Sequence, residues 1–479
     1  MPTDPRALRA EAPLLDAWLE FRERGDHPFT IPGHKHRLDL VGDVIAGDIP
    51  LYAGLDTMKL TRATLADAER RAADLWGGDL CRFSVGGSTH GNQALALAVG
   101  RPGDRIVVSR NAHRSMVSAL VLAGLEPVWV TPDVDSRTGL PSPISPERLA
   151  GVLAAHPDVV AVHLTDPAYV GTTGDLDTCA EVTHRAGIPL LVDAAWAAHF
   201  GFHPDLPDHP LARGADAVVT SAHKTLPAWS QAAIVLAKGP RVDPARLHAA
   251  VDAIHTTSPS GAILASIDAS RALLQRDGRV LLDATLRMVA SARTRLHGVP
   301  GLLVLDGPGV DPLKLAIVLG GTGADGNFVE DDLLAARMPV EMADRDTLVA
   351  MVTLADTAAD IERLLDALVA SIERHRGVPR AVGAAAYGVV PDQAMTPRDA
   401  FFAAREPVPL GAALGRIAAE LVAPYPPGIP VLAPGERITA AALDALASAR
   451  AAGVRIAYAA DPRLDTLLAV TEPRPTPPG

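Results

Sequence analysis

The sequence predicts an α/β protein: a mainly parallel, doubly wound sheet of seven strands with helices on both faces, a smaller α+β domain and a C-terminal α+β domain. Three observations predict it. Seven short β-rich runs between residues 78 and 237 are almost continuously apolar, as strands buried on both faces must be. Alanine-rich stretches separate most of them and are long enough for crossover helices. At 479 residues the chain exceeds one ordinary core, and its 48% hydrophobic, 21% charged composition is globular rather than disordered.

Along the chain, residues 12–24 put Leu14, Leu15, Trp18 and Phe21 on one stripe of an amphipathic helix. The Pro-Gly loop "TIPGHKHR" (30–37) follows, within an N-terminal segment over 1–60. A helix over 62–76 opens the large domain, 61–296. Its strands are "LCRFSV", "RIVVS", "PVWVT", "VVAVHL", "IPLLVD", "DAVVT" and "AAIVLA", and a long helical region ends it near 296. The small domain, 297–375, begins "VPGLLVLDGPG" and closes with the helix "AADIERLLDALVASIERH". The C-terminal domain, 390–479, carries "VAPYPPGIPVLAPGE" and a Pro-rich tail.

Bulk properties exclude several classes. A formal net charge of -12 argues against nucleic acid, which needs clustered Lys and Arg. Two cysteines, Cys81 and Cys179, make no disulfide framework, and no metal site is expected. The start "MPTDPRALRAEAPLLDAWLEF" is charged and lacks an apolar h-region. No apolar run reaches the ~18 residues of a membrane span. The expectation is a cytoplasmic protein without membrane or nucleic-acid partners.

In open α/β sheets, ligands bind at the carboxyl ends of the strands. After the first strand comes "GGSTHGNQA", with Gly87, Ser88 and Thr89 opening a helix. Backbone N–H groups there favour an anion, or the stretch is a plain glycine turn with a hydroxyl cap. After the second comes "SRNAHRS", where His113 can stack on a flat ring or stay structural. After the fifth comes "VDAAWAAHF". Asp193 can pair with a protonated ring nitrogen or cap a helix, and Trp196 can flank a ring or pack. After the sixth comes "TSAHKT", with Ser221, His223 and Lys224. An anion cradle, a stacking ring, an acid and a lysine at one sheet edge are what pyridoxal 5'-phosphate (PLP) requires. Its aldehyde condenses with a lysine amine, and its pyridine nitrogen needs a carboxylate to stay protonated. A non-enzymatic scaffold would need neither Lys224 nor Asp193.

These residues resemble the PLP-dependent Orn/Lys/Arg decarboxylase family, of the aspartate-aminotransferase fold (PLP fold type I), in its short form without a wing domain. The motifs "PLLDAWLEFRERGDHPFTIPGHKH", "GGSTHGNQA", "RNAHRS", "SAHKTLPAWSQ", "TTSPSGAILASIDASR" and "AFFAAREPVPLGAALGRIAAELVAPYPPGIPVLAPGE" fall in the family's order and span nearly the whole chain. The resemblance implies that Lys224 anchors the cofactor, Asp193 faces the pyridine nitrogen and His113 stacks on the ring. Gly87, Ser88, Thr89, Ser221 and His223 would lie near the phosphate or the cofactor's edge. Thr257 and Ser258, in "TTSP" (256–259), would reach a cofactor phosphate across the interface of a homodimer, or larger homo-oligomer, with shared active sites.

The implied reaction is decarboxylation of arginine, lysine or ornithine, with Lys224 or His223 protonating Cα. Glu436 and Glu406 are candidates to recognise the distal cation. The sequence departs from the family at Asp193-Ala194-Ala195-Trp196, where Asp-Glu-Ala-His is frequent, and at "GLDTMKL" (54–60), where Gly-Leu-Asp-Asp-Leu-His is frequent. Those departures leave an aminotransferase, an aldol-type lyase or an O2-dependent oxidative deaminase as the alternative.

Overall fold

The computed structural model describes residues 5–24, 43, 46–49, 63–382, 388–425, 428–451 and 454–471. The loop at 30–37 and the departure at 54–60 fall outside the described residues.

All seven expected strands form: β1 (Leu80–Ser84), β2 (Arg105–Ser109), β3 (Glu126–Val130), β4 (Val159–Thr165), β5 (Leu190–Asp193), β6 (Ala217–Ser221) and β7 (Ala233–Ala237). They join in the order β1-β7-β6-β5-β4-β2-β3. β2 is parallel to β3 and β4, and β5 to β6. β7 runs antiparallel to both β1 and β6. Every residue of β1, β5, β6 and β7 is buried, so these strands read as unbroken apolar runs rather than as alternating ones. Arg82 is the charged exception in β1; it pairs with Glu69 at 3.3 Å and Asp252 at 2.7 Å.

The helices around these strands are α1 (Pro13–Arg24), α2 (Thr64–Trp76), α3 (Gly87–Val99), α4 (Arg114–Ala123), α5 (Pro146–Ala155), α6 (Leu176–Arg185), α7 (Ala222–Thr225), α8 (Pro244–Ile254) and α9 (Gly261–His297). Local chemistry sets their ends. α2 stops at Gly77, whose φ of 73° is the left-handed cap that glycine adopts at no steric cost. Ser145 and Asp175 cap α5 and α6 with side-chain oxygens that accept first-turn N–H groups.

The chain divides into two compact units. One holds residues 1–99, 189–287 and 352–356. It contains β1, β5–β7, α1–α3, α7 and α8. The other holds 100–188, 288–351 and 357–479. Within it, β8 (Leu303–Val304), β9 (Lys314–Val318), β10 (Met342–Ala343) and β11 (Thr347–Met351) make an antiparallel sheet in the order β10-β11-β9-β8. α10 (Gly326–Ala335) and α11 (Ala358–Arg374) belong to the same unit, and Thr357 and Asp360 close a capping box on α11. α12 (Pro397–Phe402), β12 (Arg405–Pro409), β13 (Ala423–Tyr425), α13 (Ala440–Ala451), β14 (Arg455–Ala457) and β15 (Thr466–Val470) follow, with β12 paired to β15 and β13 to β14. Their core is Val422, Val431, Leu432, Leu446 and Leu467. Among the described residues, no helix is long and apolar enough to cross a membrane, and no three His, Cys, Asp or Glu residues are placed to hold a metal ion.

One buried histidine makes the fold pH-sensitive. His209 is buried, and among the described residues its Nε2 has no hydrogen-bond partner. Burial pushes its pKa down to about 3. The unfolded chain therefore binds a proton near pH 6.5 that the folded chain refuses, and stability is lost as pH falls from about 6.5 towards 3. His209→Phe should remove a slope of up to about 1.4 kcal/mol per pH unit across that window, measured by urea unfolding. An unchanged slope would place the titration elsewhere.

Candidate active site

The first unit brings most of the expected site together at the carboxyl ends of β5 and β6. Asp193 ends β5 and is 3% exposed. Its Oδ1 accepts the Ala195 N–H at 3.1 Å, and its Oδ2 accepts the Asn92 side-chain N–H at 2.7 Å. Both donors are neutral. Among the described residues no cation balances this carboxylate, although burying an unpaired charge is costly. A carboxylate held in this way is suited to a ligand that brings its own protonated nitrogen.

Lys224 lies on α7, directly after β6. Its Nζ sits 4.0 Å from the centre of the Trp196 ring, a cation–π contact. Backbone bonds staple the two turns: Ala194 N–H donates to Val219 O at 2.8 Å, and Ser221 N–H to Ala195 O at 3.3 Å. Trp196 thus contacts the lysine itself. His223 is fixed by a 2.8 Å contact from Nδ1 to the Ala232 carbonyl. Only a protonated Nδ1 can donate there, which makes Nε2 the nitrogen that can exchange a proton.

The Gly-rich turn is tied to the same place. Gly87, at φ 69°, donates its N–H to Gln231 O at 2.8 Å. Ser88 and Ser221 share a hydroxyl–hydroxyl hydrogen bond of 2.7 Å, and Thr89 follows in the first turn of α3. The N–H groups of a first turn have no intrahelical acceptor and suit an anion. A Cβ on Gly91 would come within 2.5 Å of Val219 Cγ1, so α3 can lie this close to β6 only with glycine there. Gly91→Val should cost about 1–3 kcal/mol by overpacking. It should also pull Asn92 off Asp193 and reduce activity; a variant with wild-type melting and turnover would refute this.

Asn92 is the residue that sequence reading missed. It stands one turn after Ser88 on the same helix face, a spacing of four that could have drawn attention to it.

The remaining candidates sit elsewhere. Thr257 and Ser258 are exposed after α8, with Ser258 N–H donating to Thr256 Oγ1 at 3.2 Å. In the second unit, His113 is exposed and caps α4, its Nδ1 accepting Ser115 N–H at 3.2 Å. Glu406 lies on β12 and pairs with Arg416 at 2.7 Å. Glu436 is 0% exposed and pairs with Arg110, also 0% exposed. Its carboxylate is spent on that pair and on Ala433 N–H, so the structure gives it a task other than meeting a substrate.

The residues present fit PLP: a buried carboxylate with no cation beside it and a buried Thr225 hydroxyl with no partner, both among the described residues, together with a lysine amine and hydroxyls at a helix N-terminus. The family model described as Orn/Lys/Arg decarboxylase, major domain, matches residues 12–306, and the one described as its C-terminal domain matches 381–455. The chain belongs to this family.

As an Orn/Lys/Arg decarboxylase family member, it is a lyase. It is 33% identical to an arginine decarboxylase of Bacillus subtilis over 448 residues, covering 90% of this chain and 91% of that one. It is 26% identical to a lysine decarboxylase of Pseudomonas aeruginosa, covering 90% of this chain and 74% of the relative. Among solved structures, lysine decarboxylase A from Pseudomonas aeruginosa superposes with a TM-score of 0.82 at 21% identity, covering 97% of this chain and 81% of that one. That likeness shows a shared fold.

Proposed function

We propose that this chain removes the α-carboxyl group of arginine as CO2, giving agmatine, with PLP as cofactor. The observation that carries the reading is the buried Asp193, which has no cation beside it among the described residues, next to the turn that bears Lys224. The arginine decarboxylase of Bacillus subtilis, at higher identity than the lysine decarboxylase of Pseudomonas aeruginosa, supports arginine over lysine.

When bound, PLP supplies an electron sink for the pair left behind by CO2. The protein's residues do the rest. Asp193 would hold a proton on the ring nitrogen, since among the described residues no cation pairs with its charge. Asn92 and the Ala195 N–H keep that carboxylate in one orientation. Lys224 would hold the cofactor and its Nζ would supply the proton to Cα, the Trp196 face favouring the protonated amine. Ser88, Thr89 and Ser221 bind the phosphate at the start of α3. His223, with its Nδ1 fixed on Ala232, steadies the lysine turn. The same reading implies a cytoplasmic homodimer in which the exposed Thr257 and Ser258 serve the partner's site.

The test is CO2 release from arginine, lysine and ornithine by PLP-loaded protein, with and without oxygen. We expect agmatine and CO2 in equal amounts from arginine, independent of oxygen. No CO2 from any of the three, with PLP bound, would overturn the reading. Ammonia and an oxo acid formed only with oxygen would establish the oxidative alternative.

A further inference from the structure

Lys224 and the Gly-rich turn follow different strands, β6 and β1, and these are not neighbours: β7 runs antiparallel between them. Ser84 at the end of β1 and Ser221 at the end of β6 both pair with Ala233, the first residue of β7. The chain entering β7, residues 229–232, therefore lies between the two turns, and all of these residues belong to the first unit. It holds both turns. Gln231 O accepts the Gly87 N–H at 2.8 Å. Ala232 O accepts the His223 N–H at 3.3 Å and meets His223 Nδ1 at 2.8 Å. The segment is itself anchored: Ala232 N–H donates to Trp229 O at 3.0 Å, and Trp229 N–H to Ser266 Oγ on α9 at 3.1 Å.

The residue that joins these contacts is strained. Gln231 has a φ of 76°, in the left-handed region where a side chain crowds the backbone and glycine sits at no cost. Gln231 is exposed, so side-chain packing does not force it there. Such strain persists where the surroundings over-determine the backbone, and here the surroundings are the two turns themselves. A second tie between the turns, the Ser88–Ser221 hydroxyl bond, depends on what is bound. Each hydroxyl has one proton, so once both donate to a phosphate neither is left for the pair. The peptide tie through Gln231 survives that binding.

We propose that Gln231 is a positioning residue: its left-handed backbone clamps the phosphate cradle at Gly87 to the lysine turn at His223, and so sets the span that PLP bridges from phosphate to aldehyde. This rests on the PLP reading above. A span fixed in advance spares the ordering of two separate turns when a rigid cofactor binds.

The test compares three ligands on the full chain stripped of cofactor. PLP engages both turns, pyridoxal reaches only the lysine, and inorganic phosphate reaches only the cradle. PLP and pyridoxal are read by the visible absorbance they gain on joining lysine, and phosphate by calorimetry. Gln231→Val cannot hold that φ, because its β-branch meets the backbone there. It should weaken PLP by about tenfold while pyridoxal and phosphate each stay within about twofold, since only the two-point ligand needs the span. In the PLP-loaded enzyme it should lower kcat by about 10- to 100-fold. Gln231→Gly keeps the φ and should match wild type within about twofold throughout. A Gln231→Val variant that binds PLP and turns over like wild type, or that loses pyridoxal or phosphate as much as PLP, would overturn the clamp. So would a Gln231→Gly variant as weak as Gln231→Val, since the side chain and not the backbone would then be acting. A wild-type protein that binds no PLP would overturn the cofactor reading, and the clamp with it. If Gln231→Val does not fold, Gln231→Thr, also β-branched but polar on this exposed segment, takes its place with the same expectations.

Discussion

Lys224→Ala is expected to reduce decarboxylation by at least about 10³-fold and to leave the fold intact. Among the described residues at this strand end, the amine is the only group that can both bind an aldehyde and carry a proton to Cα. The fold does not depend on it. Lys224 is half-buried on a four-residue helix, and its cation–π interaction with Trp196 contributes about 0.5–1 kcal/mol. Lys224→Arg separates chemistry from packing. It keeps a cation over the Trp196 face but offers no amine that can deprotonate at working pH, so it should melt like wild type and be as inactive as the alanine variant. Activity retained by either variant would remove the lysine from the mechanism.

Asp193→Asn is expected to lower kcat by about 10²–10³-fold while leaving stability unchanged or raising it. Among the described residues the buried carboxylate has neutral donors only, so without the cofactor its charge is a cost to the fold. An amide of the same size removes that cost and keeps one oxygen for Asn92 or Ala195. It cannot hold a proton on a pyridine nitrogen. Activity and stability should therefore move in opposite directions, as they do where a site is built at the fold's expense. A variant that melts earlier but turns over normally would mean that Asp193 is a cap and nothing more. Thermal melting of cofactor-free protein, read beside steady-state rates, settles the point.

Much of the fold was legible because burial on both faces leaves a plain mark. All seven apolar runs became strands, and of the stripe Leu14, Leu15, Trp18 and Phe21 all but the half-buried Trp18 are buried on α1. The antiparallel insertion of β7 between β1 and β6 was not legible, since strand direction depends on a connection whose path no residue pattern specifies. At the site, Lys224, Asp193, Ser88 and Ser221 could be found because each follows a strand end. Asn92 was missed: its spacing of four from Ser88 was readable, but an amide inside an alanine-rich helix looks like any polar residue until the helix is laid on the sheet. Glu436 shows the converse. Its residue type suggested a substrate acid, but burial decides what a carboxylate does, and the arginine that buries with it lies 326 positions away in the sequence. Trp196 read equally well as packing or as a ring neighbour; the stapled turns after β5 and β6 put it against the lysine.

Borohydride reduction of the PLP-loaded protein, followed by peptide mapping, tests the site most directly. The sequence has five lysines, at 35, 59, 224, 238 and 314. Reduction fixes the cofactor to whichever one holds it. The label should fall on Lys224 alone, and be lost in Lys224→Arg. A label on Lys35, Lys59, Lys238 or Lys314, or none on a protein that still releases CO2 from arginine, would contradict the assignment of the catalytic centre to the ends of β5 and β6.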